Sequence, residues 1–310
     1  MKAHKQMLYL AVSLLSLILF ILIAQWLGFD VSASFSEILS IGILPFIILF
    51  LITTIEFIAK TFRFKYALNN EYSFRQLAAP YLASIFISFL VPSRFAGEGI
   101  RPLAFRSNPK IPASECLSAI SIERVFDVLF LPFLLFGAIS SLLDPIISIA
   151  LIISLILFLV ISTTTLFIEA SSLVPHKALS SFFSIYFKSL RDTISNTNKF
   201  ITITALTVII WLCAFLRLWL IIMFLDASLP FFEASSASAA AYLFSVLSIL
   251  PGGGVLFEGG GTAALMFFGV ASDKALSAML VERFFAYWVF IIAGLAVLPY
   301  LKLMGAGKKE

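Results

Sequence analysis

Charge is scarce in this sequence. Asp, Glu, Lys and Arg make up 12% of its 310 residues, where soluble domains average about 25%. It holds two histidines and two cysteines. Cys116 and Cys213 sit far apart, in or beside apolar stretches, so neither a disulfide framework nor a cysteine-based metal spacing is present. No Ser-His-Asp set, phosphate-binding loop or dinucleotide fingerprint occurs: the glycine-rich stretch 251–261 lacks the Lys-Ser/Thr ending and the strand context of such a loop. No basic run of motif length occurs either, and this excludes a nucleic-acid partner as the reason for the net charge of +4. No catalytic residue, metal or cofactor is assigned.

What the sequence has is hydrophobicity, at 61% of residues and a mean hydropathy of +1.07. It comes in blocks: 7–27, 38–58, 119–142, 145–168, 200–225 and 276–301. Each is long enough to cross a hydrocarbon core of about 30 Å as a helix. Helix is the favoured form there, because lipid offers no partner to an exposed backbone N–H or C=O. Lys2 and Lys5 before the first block resemble a signal peptide, but the apolar run exceeds the usual h-region of roughly 7–15 residues. It reads as an uncleaved first span.

Two further apolar segments, 77–91 and 237–250, are too short to cross. Each ends in a helix breaker, Pro92-Ser93 and Pro251-Gly252-Gly253-Gly254, and reads as one arm of a re-entrant hairpin. On that reading fifteen of the 21 basic residues fall on one side, Lys60, Arg63 and Lys65 among them, and Lys274 alone falls on the other. Basic loops face the cytoplasm, so both termini are expected inside, in a multi-pass protein of the cell membrane. Two additional full spans per half, with Arg94 or Glu258 at the surface, are the alternative. The 181–190 stretch is mildly amphipathic and suits the inner membrane surface.

An internal repeat supports the hairpins. The pattern S-A-x-x-[IV]-E-R-x-F occurs from Ser118 and again from Ser277. The breaker followed by a glutamate recurs as well, at Glu98 and Glu258, with both motifs repeating at about 160 residues. Each half, 1–143 and 144–310, then holds three spans and one hairpin. Three is odd, so the second half enters from the opposite side. The expected fold is all-α, a polytopic transmembrane helical bundle of six full spans and two re-entrant hairpins with an inverted-topology repeat. In many transporters such repeats place the substrate near the midplane, on broken helices.

The chemistry sits at these breaks. Glu98 is flanked by Gly97 and Gly99 and by Arg94 and Arg101. A half-helix beginning there turns its N–H groups toward the tip, and arginine recognises phosphate bidentately. The bland reading is a surface loop whose acids and bases pair locally. Six glycines surround Glu258, among them Gly259, so that tip must be shielded by protein or water; the competing reading is an exposed external turn. Glu123-Arg124 and Glu282-Arg283 lie inside spans, where an isolated charge costs at least about 2.5–3.5 kcal/mol. Neighbours on a helix point about 100° apart, so Arg124 and Arg283 are expected to pair across the bundle with the hairpin-tip acids, and Asp127 can pair with Arg124 one turn on. A purely structural brace stands level with substrate contact for these residues. Arg217 could face the same cavity or snorkel to an interface, and Glu56 is equally open.

At these residues the sequence resembles the flippase-like family of the lysylphosphatidylglycerol synthase transmembrane domain. The resemblance rests on the Pro-x-Arg-x-Gly-Glu-x-x-Arg run near Pro92 to Arg101, Glu-Arg-x-x-Asp at Glu123 to Asp127, Pro-Gly-Gly-x-x-Glu near Pro251 to Glu258, and the late Arg283. It departs from the family in the glycine expansion around Glu258. The resemblance implies lipid translocation. The sequence stops ten residues after its last span, so the aminoacyl-transfer domain of the full synthases, and with it their enzymatic activity, is not carried over. The expected ligand is a membrane lipid, an anionic phospholipid or a polyprenyl-linked sugar, held by Arg94, Arg101 and Arg124 while Glu98 and Glu258 gate or carry protons. Two other classes stay open: an intramembrane enzyme acting on a lipid phosphate, and a scaffold for a partner lipid-modifying enzyme such as a glycosyltransferase. A homo-oligomer is compatible with all three.

Overall fold

The computed structural model describes residue 25 and residues 31–68, 72–89, 94–106, 109–134, 177–247 and 255–306. The expected spans 7–27 (but for Gln25) and 145–168 lie outside the described residues, as do the breakers 90–93 and 248–254. All regular structure among the described residues is helical. The chain runs through α1 (Val31–Ser40), α2 (Ile43–Ala67), α3 (Phe74–Phe89), α4 (Arg94–Ile100), a 3-10 turn (Arg101–Phe105) and α5 (Ala113–Leu134). It continues through α6 (Lys177–Ser195), α7 (Thr197–Phe224), α8 (Phe231–Leu247), α9 (Leu256–Phe267) and α10 (Ser272–Arg283). A π-helical turn (Phe284–Trp288) joins α10 to α11 (Val289–Ala306).

Among the described residues, three helical stretches are long and apolar enough to cross a membrane: Ile43–Ala67, Thr197–Phe224 and Ser272–Val297. Helix α2 shows how such a span reads in a lipid environment. Ile43, Leu44, Ile47, Leu51, Ile55 and Ile58 are exposed, while Leu49, Thr53, Glu56, Ala59 and Arg63 on the other face are buried. In water this arrangement would be inside out. In hydrocarbon it is the favourable one, because lipid solvates the apolar face and polar groups must find protein partners.

The span expected at 38–58 is therefore displaced. Gly42 takes φ 77°, a left-handed conformation cheap for glycine, and separates α1 from α2. Helix α2 then continues past Lys60 and Arg63 to Ala67. These two residues, assigned from charge alone to an inner loop, are within the helix. Their charges do not end it because both have partners, Glu56 for Lys60 and Asp127 for Arg63. The stretch read at 181–190 is part of a longer helix, α6.

The short segments behave as breaks. Helices α3 and α8 have 16 and 17 residues, which at about 1.5 Å per residue falls short of a hydrocarbon core of about 30 Å. Their partners α4 and α9 are shorter still, at 7 and 12 residues. Close approach holds each pair of arms together. A Cβ on Gly97 would collide with the Ser88 carbonyl of α3. Between α8 and α9 small residues do the same work: Ala234, Ala237 and Ala241 are buried along one face, and Gly261 lies against Ala241 and Met279. The parts of the chain also interlock, with α2 packed on α7 and α3 on α11, where Gly294 lies against Phe86.

Candidate functional site

Ten ion pairs among the described residues join twelve side chains. One cluster gathers around Glu98; the other comprises the Arg217 group and the separate pair Arg283–Glu258.

The first surrounds the tip of α4. Glu98 accepts from Arg101 Nη1 at 2.7 Å and faces Arg124 Nη2 at 3.3 Å. Arg124 also donates to Asp127 Oδ2 at 2.8 Å, one turn along α5. Asp127 in turn accepts from Arg63 of α2 at 2.6 Å. Behind them Glu123 is fully buried, 3.5 Å from both Arg63 and Arg101, and accepts from the Tyr81 hydroxyl at 3.2 Å. Arg101 additionally donates Nε–H to Ser84 and lies 4.9 Å from the Tyr81 ring centre, a cation–π contact.

The second centres on a fully buried arginine, although Glu56 and Lys60 on its edge also line the cavity described below. Arg217 of α7 is completely enclosed and grips Glu282 through two donors, Nε at 2.9 Å and Nη2 at 2.6 Å. The same guanidinium pairs with Glu56 of α2, which also binds Lys60. Arg283 of α10 reaches Glu258 of α9 at 3.1 Å and lies 4.0 Å from the Tyr287 ring centre. Val255, a β-branched residue at φ 67°, precedes the helix that carries Glu258; such a conformation is strained.

The clusters echo one another. Arg124–Glu98 corresponds to Arg283–Glu258, and Arg63–Glu123 to Arg217–Glu282. Tyr81 on Glu123 corresponds to Tyr242 on Arg217, and Ser84 and Ser245 each donate to the carbonyl of that tyrosine. The cross-bundle pairs expected of Arg124 and Arg283 both form.

A cavity of about 100 Å³ opens on the first cluster. Of the residues weighed in the sequence, Glu56, Glu98, Arg101, Arg124 and Asp127 line it. Arg124 is 43% exposed, Glu98 23% and Asp127 14%. Glu123 is packed behind them, and Glu258, Glu282, Arg217 and Arg283 lie outside the lining. Gly97 is buried at the α3–α4 contact, and Gly99 and Gly259 are exposed. Pro92, Pro251, Gly252, Gly253, Gly254 and the Arg94 side chain lie outside the described residues.

Other lining residues were not singled out from the sequence. Lys60, 25% exposed, projects from α2, and Trp211 and Tyr242 come from α7 and α8. Arg63 and Tyr81 complete the polar wall. A usable signal existed for Tyr81. Tyr-Leu-x-Ser occurs at Tyr81 and again at Tyr242, about 160 residues on, in step with the other repeated motifs.

Two donors of lining arginines stand out. Arg101 Nη2 and Arg124 Nε are enclosed and have no hydrogen-bond partner among the described residues. Buried polar groups of this kind call for an explanation, and two guanidinium N–H groups on one cavity suit the oxygens of an anion. Among the described residues, no three His, Cys, Asp or Glu side chains gather as a metal-binding group.

Fold and site together define an all-helical membrane protein with an ion-paired cavity beside broken helices. Residues 8–294 match the family described as the lysylphosphatidylglycerol synthase TM region, and the chain belongs to that family. It is also similar to a "UPF0104 membrane protein" of Methanothermobacter thermautotrophicus, at 28% identity over 236 residues covering 68% of this chain and 69% of that one.

Proposed function

We propose that the protein translocates a lipid, passing a phosphate-bearing headgroup through the charged cavity while the acyl chains stay in the bilayer. The observation that carries this reading is Arg124. It is a guanidinium on α5, 43% exposed and lining the cavity, with Arg101 and Lys60 in the same lining. The apolar outer face of α2 offers the tails a path outside the bundle.

At about 100 Å³ the cavity is smaller than the roughly 300–1,000 Å³ of drug-sized ligand sites. Passage of a headgroup therefore requires the α3–α4 arm to separate from α5. The pairs to be broken there, Arg124 with Glu98 across to the tip, are the more exposed ones.

The reading includes two repeats, 1–143 and 144–310, inverted relative to each other, in a multi-pass protein of the cell membrane with cytoplasmic termini. The recurring ion pairs and the two short helical breaks support it. The substrate is an anionic phospholipid or a polyprenyl-linked sugar phosphate, which share the phosphate that arginine recognises.

Reconstitution into phosphatidylcholine vesicles carrying fluorescent phosphatidylglycerol tests the proposal. The wild-type protein should make inner-leaflet label accessible to an external quencher, and Arg124→Gln should abolish this. Equal rates in protein-free and wild-type vesicles, with either phosphatidylglycerol or a polyprenyl phosphate sugar as cargo, would remove translocation from consideration.

A further inference from the structure

The charge balance of the site points to how an anion is accommodated. The twelve paired side chains are six cations, Lys60, Arg63, Arg101, Arg124, Arg217 and Arg283, and six carboxylates, Glu56, Glu98, Glu123, Asp127, Glu258 and Glu282. With all ionised, these twelve charges cancel. Among the described residues they leave no surplus positive charge to offer a phosphate. A headgroup that takes Arg124 must displace a carboxylate from it, and then leaves an unmatched negative charge in a small cavity that is only partly open to water. An unmatched charge in such a place is strongly unfavourable, and protonating the displaced acid removes it.

We infer that anion binding is coupled to uptake of one proton by Glu98. This rests on the translocation site proposed above. Glu98 is the most exposed of the six carboxylates and sits in the second turn of a seven-residue helix. It is shared between two guanidinium groups, Arg101 and Arg124, so releasing Arg124 leaves it a partner. The other acids are held harder. Asp127 is pinned by Arg63 as well as Arg124, and Glu56, Glu123, Glu258 and Glu282 are buried.

The surroundings of Glu98 allow the exchange. From α5 it faces Arg124, with Glu123 and Asp127 behind, and from the 3-10 turn it faces Arg101. Helix α3 contributes Tyr81 and Ser88 to the same cavity, α2 contributes Glu56, Lys60 and Arg63, and α8 contributes Tyr242. The neutral acid keeps a hydrogen bond to Arg101, while the phosphate takes over Arg124 and the unspent N–H groups of both arginines. Headgroup and proton would then travel as a neutral pair, and a proton gradient could drive the lipid.

Dihexanoyl phosphatidylglycerol is a suitable probe, because its phosphodiester does not titrate near neutral pH. Calorimetric titration of the detergent-solubilised protein in two buffers of different ionisation enthalpy counts the protons. The wild type should take up about one per anion bound, and its Kd should rise with pH. Glu98→Gln should bind with no proton uptake and a flat pH profile, while Glu98→Asp should keep the coupling and so control for disturbed folding. Wild-type binding without proton uptake overturns the coupling and leaves the translocation site standing. Undiminished uptake in Glu98→Gln overturns the assignment to Glu98. Absence of saturable wild-type binding, or equal binding by Arg124→Gln, removes the site and this inference together.

Discussion

The two ion-pair clusters are built from corresponding residues and differ in where their arginines lie: Arg101 and Arg124 line the cavity, whereas Arg217 and Arg283 do not, although Glu56 and Lys60 beside Arg217 reach it. Around Glu98 the acids are shared between cations, several separations reach 3.3–3.5 Å, and Arg124 is nearly half exposed. Around Glu282 the Arg217 guanidinium is enclosed and doubly bonded. A shared, partly wet pair can exchange partners at modest cost, whereas a dry pair loses most of its stabilisation when one member goes. The same constellation thus serves as an exchangeable site in one place and as a brace in the other.

The largest expected effect is in the brace. Arg217→Leu leaves Glu282 and Glu56 buried together, with Lys60 alone to offset them, and should destabilise the protein by about 3–5 kcal/mol. Thermal unfolding in detergent would report it, and a loss no greater than that of Arg124→Gln would erase the contrast between the clusters. The contacts between the short helices come next. Gly97→Ala drives a Cβ into the Ser88 carbonyl, while the methyl in Gly261→Ala meets chiefly the mobile end of Met279. The first should cost about 1–3 kcal/mol and the second less, measured as midpoint shifts in the same assay; Gly99→Ala, with no neighbour within 4 Å, is the control that should not destabilise.

Smallest in stability is Arg124→Gln. Its pairs are partly exposed and its partners keep Arg101 and Arg63, so the variant should unfold closer to the wild type than Arg217→Leu does while losing lipid transfer. Double-mutant cycles sharpen the point. The Arg217–Glu282 coupling should clearly exceed that of Arg124–Asp127, and equal coupling energies would show that exposure is not what separates the clusters.

Much of this was legible in the primary structure. Glu98, Glu258, Glu123-Arg124 and Glu282-Arg283 stood out because charges within apolar blocks must be compensated, and the pairs between Arg124 and Glu98 and between Arg283 and Glu258 followed from helix geometry. Lys60 and Arg63 were not legible. They lie near the end of a span in a basic stretch that reads as an inner loop, and they belong to the site because α2 continues and turns them inward. Glu56 was ambiguous for the same reason: its role depends on Arg217, 161 residues away.

The amino-acid sequence by itself determined that this is a helical membrane protein with breaks at two glutamates and a limited set of charges that need partners. Those properties follow from composition, run length and the cost of a bare charge in lipid. Only the tertiary structure decided which acid meets which arginine, and which of the two clusters opens on a cavity. Pairing and exposure depend on which faces of distant helices are pressed together, and no local pattern carries that information.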